Sequence, residues 1–140
     1  MEGMQFKLER FIAAQKITYE VALGELQAGK KRSHWMWFIF PQIAGLGTSE
    51  TARLYAISGL VEARAYLDHP LLGARLVECT EAMLSHSDHS AHDILGSPDD
   101  MKFHSCMTLF SAVSETDVLF ERAIHRFYDG KRDEETMSRL

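Results

Sequence analysis

Leu8-Glu9-Arg10-Phe11-Ile12-Ala13-Ala14-Gln15-Lys16-Ile17-Thr18-Tyr19-Glu20-Val21-Ala22-Leu23-Gly24-Glu25-Leu26-Gln27-Ala28-Gly29 is the stretch whose reading decides the fold class. Leu8, Phe11, Ile12, Gln15, Tyr19, Ala22, Leu23 and Leu26 recur at steps of three and four. That period places them on one helical stripe facing a core. The stripe is one long helix or two; the β-branched pair Ile17-Thr18 marks where a break would fall, with Thr18 capping a second segment. Gly29 supplies the left-handed residue that commonly ends a helix.

The same period continues outward along the chain. Ser33 is expected to cap a short helix through Phe40 that Pro41 stops, and Ser49 to cap another with Glu50 in its first turn. A helix follows from about Leu60 to Leu67, then one opened by His69-Pro70 with Leu72, Leu76, Cys79 and Met83 as its stripe. Ser90-Ala91-His92-Asp93 resembles a capping box. Ser97-Pro98-Asp99-Asp100 reads as a helix start: a capping serine, proline, then two acids where the helix dipole favours them. Thr116-Asp117 is expected to open a further helix ended by Gly130, and Asp133 to cap a last short one. No stretch alternates with period two for long enough to require a strand. The expectation is an all-α single domain over residues 1–140, built of seven or eight short helices.

Composition narrows the function classes. The net charge of −5 argues against a general nucleic-acid coat, which needs a basic face. No apolar run approaches the roughly eighteen residues of a membrane span, so no membrane association is expected. Two cysteines, Cys79 and Cys106, sit among apolar residues without a secretory signal ahead of them, which points to a cytoplasmic protein with buried free thiols. No glycine-rich phosphate loop, nucleophile elbow or H-E-x-x-H motif is present.

The densest chemistry lies in Lys30-Lys31-Arg32-Ser33-His34-Trp35-Met36-Trp37-Phe38-Ile39-Phe40-Pro41-Gln42, with three cations and four large aromatics. Cations beside a helix N-terminus conflict with its positive end unless an anion or an acidic side chain answers them. Lys31, Arg32 and Ser33 are therefore candidate anion-binding residues, Trp35 and Trp37 candidate stacking platforms, and His34 a candidate proton carrier. The four aromatics cannot share one helical face, so part of the set belongs to the core. A second constellation, Asp99, Lys102 and Ser105, follows at steps of three on one helix face. His86, His89 and His92 have steps of three as well, yet lie in a segment that reads as loop, and no metal site is assigned to them.

These motifs carry a resemblance. Leu8-Glu9-Arg10-Phe11 with Ala14-Gln15, Tyr19 with Ala22-Leu23, and Gly29 through Gln42 with Gly45-Leu46-Gly47 resemble domain-of-unknown-function family 1810, some of whose members are labelled calpastatin-like. The likeness continues through Ala63-x-Ala65-Tyr66-Leu67, His69-Pro70, Leu72-Gly73 and Asp99-x-x-Lys102 to Met107-Thr108-Leu109-Phe110. It implies a small, predominantly helical domain and no established activity. Its motif residues fall on Arg32, His34, Trp35, Trp37, Gln42, Asp99 and Lys102.

The functional expectation is a small anionic, partly planar ligand, nucleotide-like or phosphometabolite-like, held between the aromatic segment and the helix after Pro98. Arg32 and Lys102 would hold the anion, Gln42 would supply directional hydrogen bonds, and His34 and Asp99 would transfer protons if the domain is an enzyme. The rival expectation is a protein-interaction module whose exposed aromatics dock a partner. Neither reading names a cofactor or a reaction.

Overall fold

The structure, a computed structural model, describes residues 6–115 and 118–140. The chain is all-α. Its helices are α1 (Glu9–Ala28), α2 (Met36–Ile39), α3 (Glu50–Leu54), α4 (Leu60–Asp68), α5 (Pro70–Leu84), α6 (Ala91–Leu95), α7 (Asp99–Ser111), α8 (Leu119–Tyr128) and α9 (Glu134–Met137). That is nine among the described residues against an expected seven or eight. The expected opening at Thr116-Asp117 lies outside the described residues.

α1 runs unbroken for 20 residues, so of the two readings the single long helix holds and no break falls at Ile17-Thr18. The Thr18 hydroxyl donates to the Ala14 carbonyl one turn back, 2.8 Å away. It thereby satisfies itself inside the helix. Burial of Phe11, Gln15, Tyr19, Ala22 and Leu26 along one face outweighs the weak propensity of two β-branched residues. Gly29 ends the helix at φ 81°, with the Lys30 amide donating to the Glu25 carbonyl and the Gly29 amide to that of Leu26. This Schellman closure turns the chain back over the last turn of α1.

Several caps form as expected. Ser49 accepts from the Ala52 amide, Ser90 and Asp93 complete a capping box, and Asp133 accepts from the Thr136 amide. His69 caps α5 through Nδ1, which accepts from the amides of Leu71 and Leu72. Ser97 does not cap α7. Pro98 itself occupies the cap position after a cis Ser97–Pro98 bond, and the helix begins at Asp99 with Asp99 and Asp100 in its first turn.

α7 is the hub. Phe103 and Ser105 through Phe110 are all buried, and it packs against α4, α6, α8 and α9, while α5 closes the other side against α1, α4 and α8. A helix buried on nearly every face shows no clean amphipathic stripe. Aromatic rings link the layers: Phe11 meets Tyr66 edge-on at 5.0 Å, Tyr66 meets Phe110 at 5.4 Å, and Phe40 meets Phe103 edge-on at 4.8 Å. Cys79 and Cys106 are buried and free, and burial pushes the Cys79 thiol up to about 12. Among the described residues no helix is long and apolar enough to cross a membrane.

Two buried polar clusters fix the loops that matter for the site. Gln15 donates through Nε2 to the Phe38 carbonyl at 2.7 Å and to the Tyr66 hydroxyl at 3.1 Å, which pins α2 onto α1 and α4. Arg10 donates to the carbonyls of Leu54 and Ala56 at 2.7 and 2.8 Å and pairs with Glu62 at 3.1 Å. Glu62, only 3% exposed, also accepts from the Ser58 amide at 2.7 Å. The 54–58 loop is thereby held, and an isolated parallel bridge between Ile43 and Ile57 ties the 42–44 segment to it.

α4 and α5 meet so closely that a Cβ added at Gly73 would lie 2.0 Å from the Leu67 carbonyl oxygen, whereas one added at Gly24 on α1 would meet nothing within 4 Å. Gly73→Ala should therefore destabilise by more than about 2 kcal/mol through forced backbone separation. Gly24→Ala should stabilise by about 0.5–1 kcal/mol, the ordinary helix-interior gain. Urea unfolding midpoints of the two variants check this, and shifts of the same sign would refute the close α4–α5 contact.

Candidate functional site

The turn after α1 closes over a carboxylate of that helix. Glu25 lies in the last turn of α1, and the closure at Gly29 brings the chain back across it. Its Oε1 accepts from the Arg32 amide at 2.8 Å, the Ser33 amide at 3.0 Å and Trp35 Nε1 at 2.8 Å. Its Oε2 accepts from Ser33 Oγ at 2.6 Å. Burial pushes the Glu25 carboxyl up, but the hydrogen bonds from Ser33, the Arg32 amide and Trp35 outweigh it and hold the group at about 2, below its ordinary 4.5. Ser33 is thus not the cap of α2. Its hydroxyl is committed to Glu25, and Trp35 takes the cap position without a side-chain bond.

The remaining charges form a chain. Lys31 Nζ pairs with Asp99 Oδ2 at 2.9 Å, and Lys102 Nζ lies 3.5 Å from Asp99 Oδ1. Lys31 sits over the Trp35 ring at 5.2 Å and Lys102 over the Trp37 ring at 5.3 Å. Lys31, rather than Arg32, is therefore the residue of the cationic run that reaches α7. Asp99 is flanked by two ammonium groups. Arg32 and His34 are exposed on the outer side of the turn.

Between the 42–47 loop and the start of α7 lies a cleft of two joined lobes, which share Gln42, Gly45, Gly47 and Lys102. The first lobe, about 140 Å³, is walled by Met36, Trp37, Phe40 and Tyr55, with Arg53 at its side. The second, about 300 Å³, lies along Met101, Ser105, Asp133, Glu135 and Arg139. Gly45, at φ 100°, admits the Arg139 guanidinium, which lies 2.9 Å from where a Cβ would stand. Arg139 also approaches Glu135 at 3.8 Å. Asp133 Oδ2 accepts from Ser105 Oγ at 3.1 Å and from Thr136 Oγ1 at 2.6 Å, while the Asp133 amide donates to Thr108 Oγ1. That network fastens α9 to α7 and forms the floor of the second lobe.

Of the residues expected to form a site, Trp37, Gln42, Lys102 and Ser105 line this cleft. Lys31 and Asp99 adjoin it through the ion-pair chain. Arg32, Ser33, His34 and Trp35 do not line it; Trp35 is 1% exposed and belongs to the core. Sequence reasoning missed Arg53, Tyr55, Asp133 and Arg139. Their signal was faint: only the paired glycines Gly45 and Gly47 hinted at a close approach by another segment. Glu25 had a clearer one, since an acid in the last turn of a helix opposes the dipole unless donors meet it.

The histidine-rich loop brings the rings of His86 and His89 together, centroids 5.4 Å apart, and gives each of its three histidines a separate polar partner. His86 Nε2 donates to the Leu26 carbonyl at 2.7 Å, His89 pairs with Asp88 at 2.9 Å, and His92 lies 3.5 Å from Asp100. Among the described residues, no group of three His, Cys, Asp or Glu side chains has the geometry to hold a metal.

Glu25 carries a pH signature. Its folded carboxyl titrates below its unfolded value, so the stability that it contributes is present above about pH 5 and is lost as pH falls toward 2. Glu25→Gln should cost roughly 1–2 kcal/mol at pH 7, allowing for solvent screening, and should lose less stability than wild type on acidification across that window. Equal acid dependence of the two proteins in urea titrations would remove Glu25 from this role.

Similarity to known proteins agrees with the geometry. No curated protein matches the chain. The crystal structure of the conserved hypothetical protein Rv1873 from Mycobacterium tuberculosis superposes with a TM-score of 0.95 at 46% identity, covering 96% of each chain. The family model described as "Protein of unknown function (DUF1810)" matches residues 5–140. The chain therefore belongs to the DUF1810 family of proteins of unknown function.

Proposed function

We propose that the two-lobed cleft binds a small ligand combining an anionic group with a planar part, of a nucleotide-like or phosphometabolite-like kind. The observation that carries this reading is the convergence of Trp37, Gln42 and Lys102 with Arg53 and Arg139 around one concavity. A concave, mostly apolar site with a few placed polar groups is the ordinary form of a small-molecule pocket. Lys102 takes the anion-holding role, with Arg139 as its partner in place of Arg32. Gln42, whose carbonyl accepts from the Ile57 amide at 2.8 Å, has a fixed backbone from which its carboxamide offers a donor and an acceptor.

The reading is one of binding. His34 lies outside the cleft and Asp99 is held between two lysines, so no reaction is assigned to either. A cytoplasmic setting fits two free, buried thiols. The interaction-module alternative has lost most of its anchors: Trp35, Phe38 and Phe40 are buried, and only Trp37 of the four is partly exposed.

A thermal-shift screen of inorganic phosphate, nucleotides and sugar phosphates tests the assignment. Arg32→Ala should retain the ligand-induced stabilisation of wild type, whereas Lys102→Ala should lose most of it, a drop in affinity of about tenfold or more for one buried charged contact. A loss in Arg32→Ala with retention in Lys102→Ala would relocate the site to the turn around Glu25.

A further inference from the structure

The two lobes differ in size and chemistry, and the difference reads out the shape of the ligand. The first lobe is walled by Met36, Trp37, Phe40 and Tyr55, and its volume is about 140 Å³. An apolar cavity of about 150 Å³ accommodates one benzene ring. A single six-membered ring therefore matches the room available, and a fused bicyclic purine exceeds it.

The walls cannot easily give way to admit more. Phe40 is 1% exposed and packs edge-on against Phe103, and Met36 is 2% exposed. Tyr55 is wedged against Phe11 at 5.7 Å and Phe38 at 5.2 Å, and its loop is fastened by Arg10 to the carbonyls of Leu54 and Ala56. On the opposite side, Gly47 abuts Ala52, whose Cβ would lie 2.5 Å from a Cβ at Gly47. Close-packed surroundings of this kind resist expansion.

The second lobe, about 300 Å³, has no aromatic wall; Leu46, Pro98 and Met101 share it with Ser105, Asp133, Glu135, Lys102 and Arg139. It suits a hydroxylated, anionic substituent. Gln42 and Lys102 stand at the junction of the lobes, where a ring edge and a charged substituent would both be within their range.

We propose that the cleft selects a monocyclic planar ring bearing a hydroxylated phosphate substituent, as in a pyrimidine nucleoside monophosphate, over its purine counterpart: the ring enters the aromatic lobe and the sugar phosphate lies in the wider lobe, beside Ser105, Lys102 and Arg139. This rests on the small-anion reading of the same cleft and sharpens it to a ligand class.

Isothermal titration of the full chain with UMP, CMP, AMP, GMP and inorganic phosphate tests it. UMP or CMP should bind at least tenfold more tightly than AMP and GMP. Ala44→Leu, at an exposed position lining the aromatic lobe, should reduce pyrimidine nucleotide binding to the level of inorganic phosphate while leaving phosphate binding in place. Ala56→Leu fills the same lobe from the other side and serves as the second variant, its folding checked by its thermal transition. Purine nucleotides binding as tightly as pyrimidine ones, or Ala44→Leu and Ala56→Leu binding UMP as wild type does, would overturn the ring assignment and leave the anion cleft standing. Binding of none of the five probes would overturn both.

Discussion

The carboxylate of Glu25 is the interaction on which the arrangement around the cleft depends. It sits at the negative end of α1, a conflict offset by four hydrogen bonds from the turn that follows, while Lys31 of the cationic run is answered separately by Asp99. Because Trp35 donates to the same carboxylate, the indole is drawn into the core while Trp37, two residues on, is left at the rim of the first lobe. The division of the aromatic segment into a core half and a cleft half thus follows from where one acid stands.

A second layer of constraint comes from α7. Its burial on nearly all sides leaves Lys102 as a polar group directed to the cleft from a rigid element, with Asp99 and Lys31 holding the adjoining turn in place. Thr108 and Ser105 bind Asp133 and so bring α9 alongside. Arg139, far away in sequence, reaches Gly45 only through this docking. The cleft is consequently assembled from three parts of the chain, each fixed by its own buried polar contacts. Such fixing favours a preformed site, in which little ordering cost falls on the ligand.

How much of this was legible in the residues depends on the distance over which the cause acts. The stripe from Phe11 to Leu26, the caps at Ser49, Ser90 and Asp133, and the stop at Gly29 were readable because each rests on neighbours within a turn. Whether α1 breaks at Ile17-Thr18 could not be read locally, because propensity is local and small, while burial of the whole face of α1 is tertiary and large. Ser33 and Ser97 were misplaced as caps for a related reason. Each has the right residue type, but Glu25 claims the first and Pro98 displaces the second.

Sequence alone determined the helical class, the order of most elements and the buried thiols, and singled out the Lys30–Gln42 segment with Asp99-x-x-Lys102 for its density of charge and aromatics, since periodicity, capping chemistry and charge conflict are all written in adjacent residues. Tertiary structure decided which residues of that segment face a cleft. It placed Trp37 and Gln42 there, removed Arg32 and His34, and brought in Arg53, Tyr55 and Arg139. The physical reason is that a concavity belongs to no single element: its walls are the remainder left after α1, α7 and α9 have each satisfied their own buried apolar and polar groups.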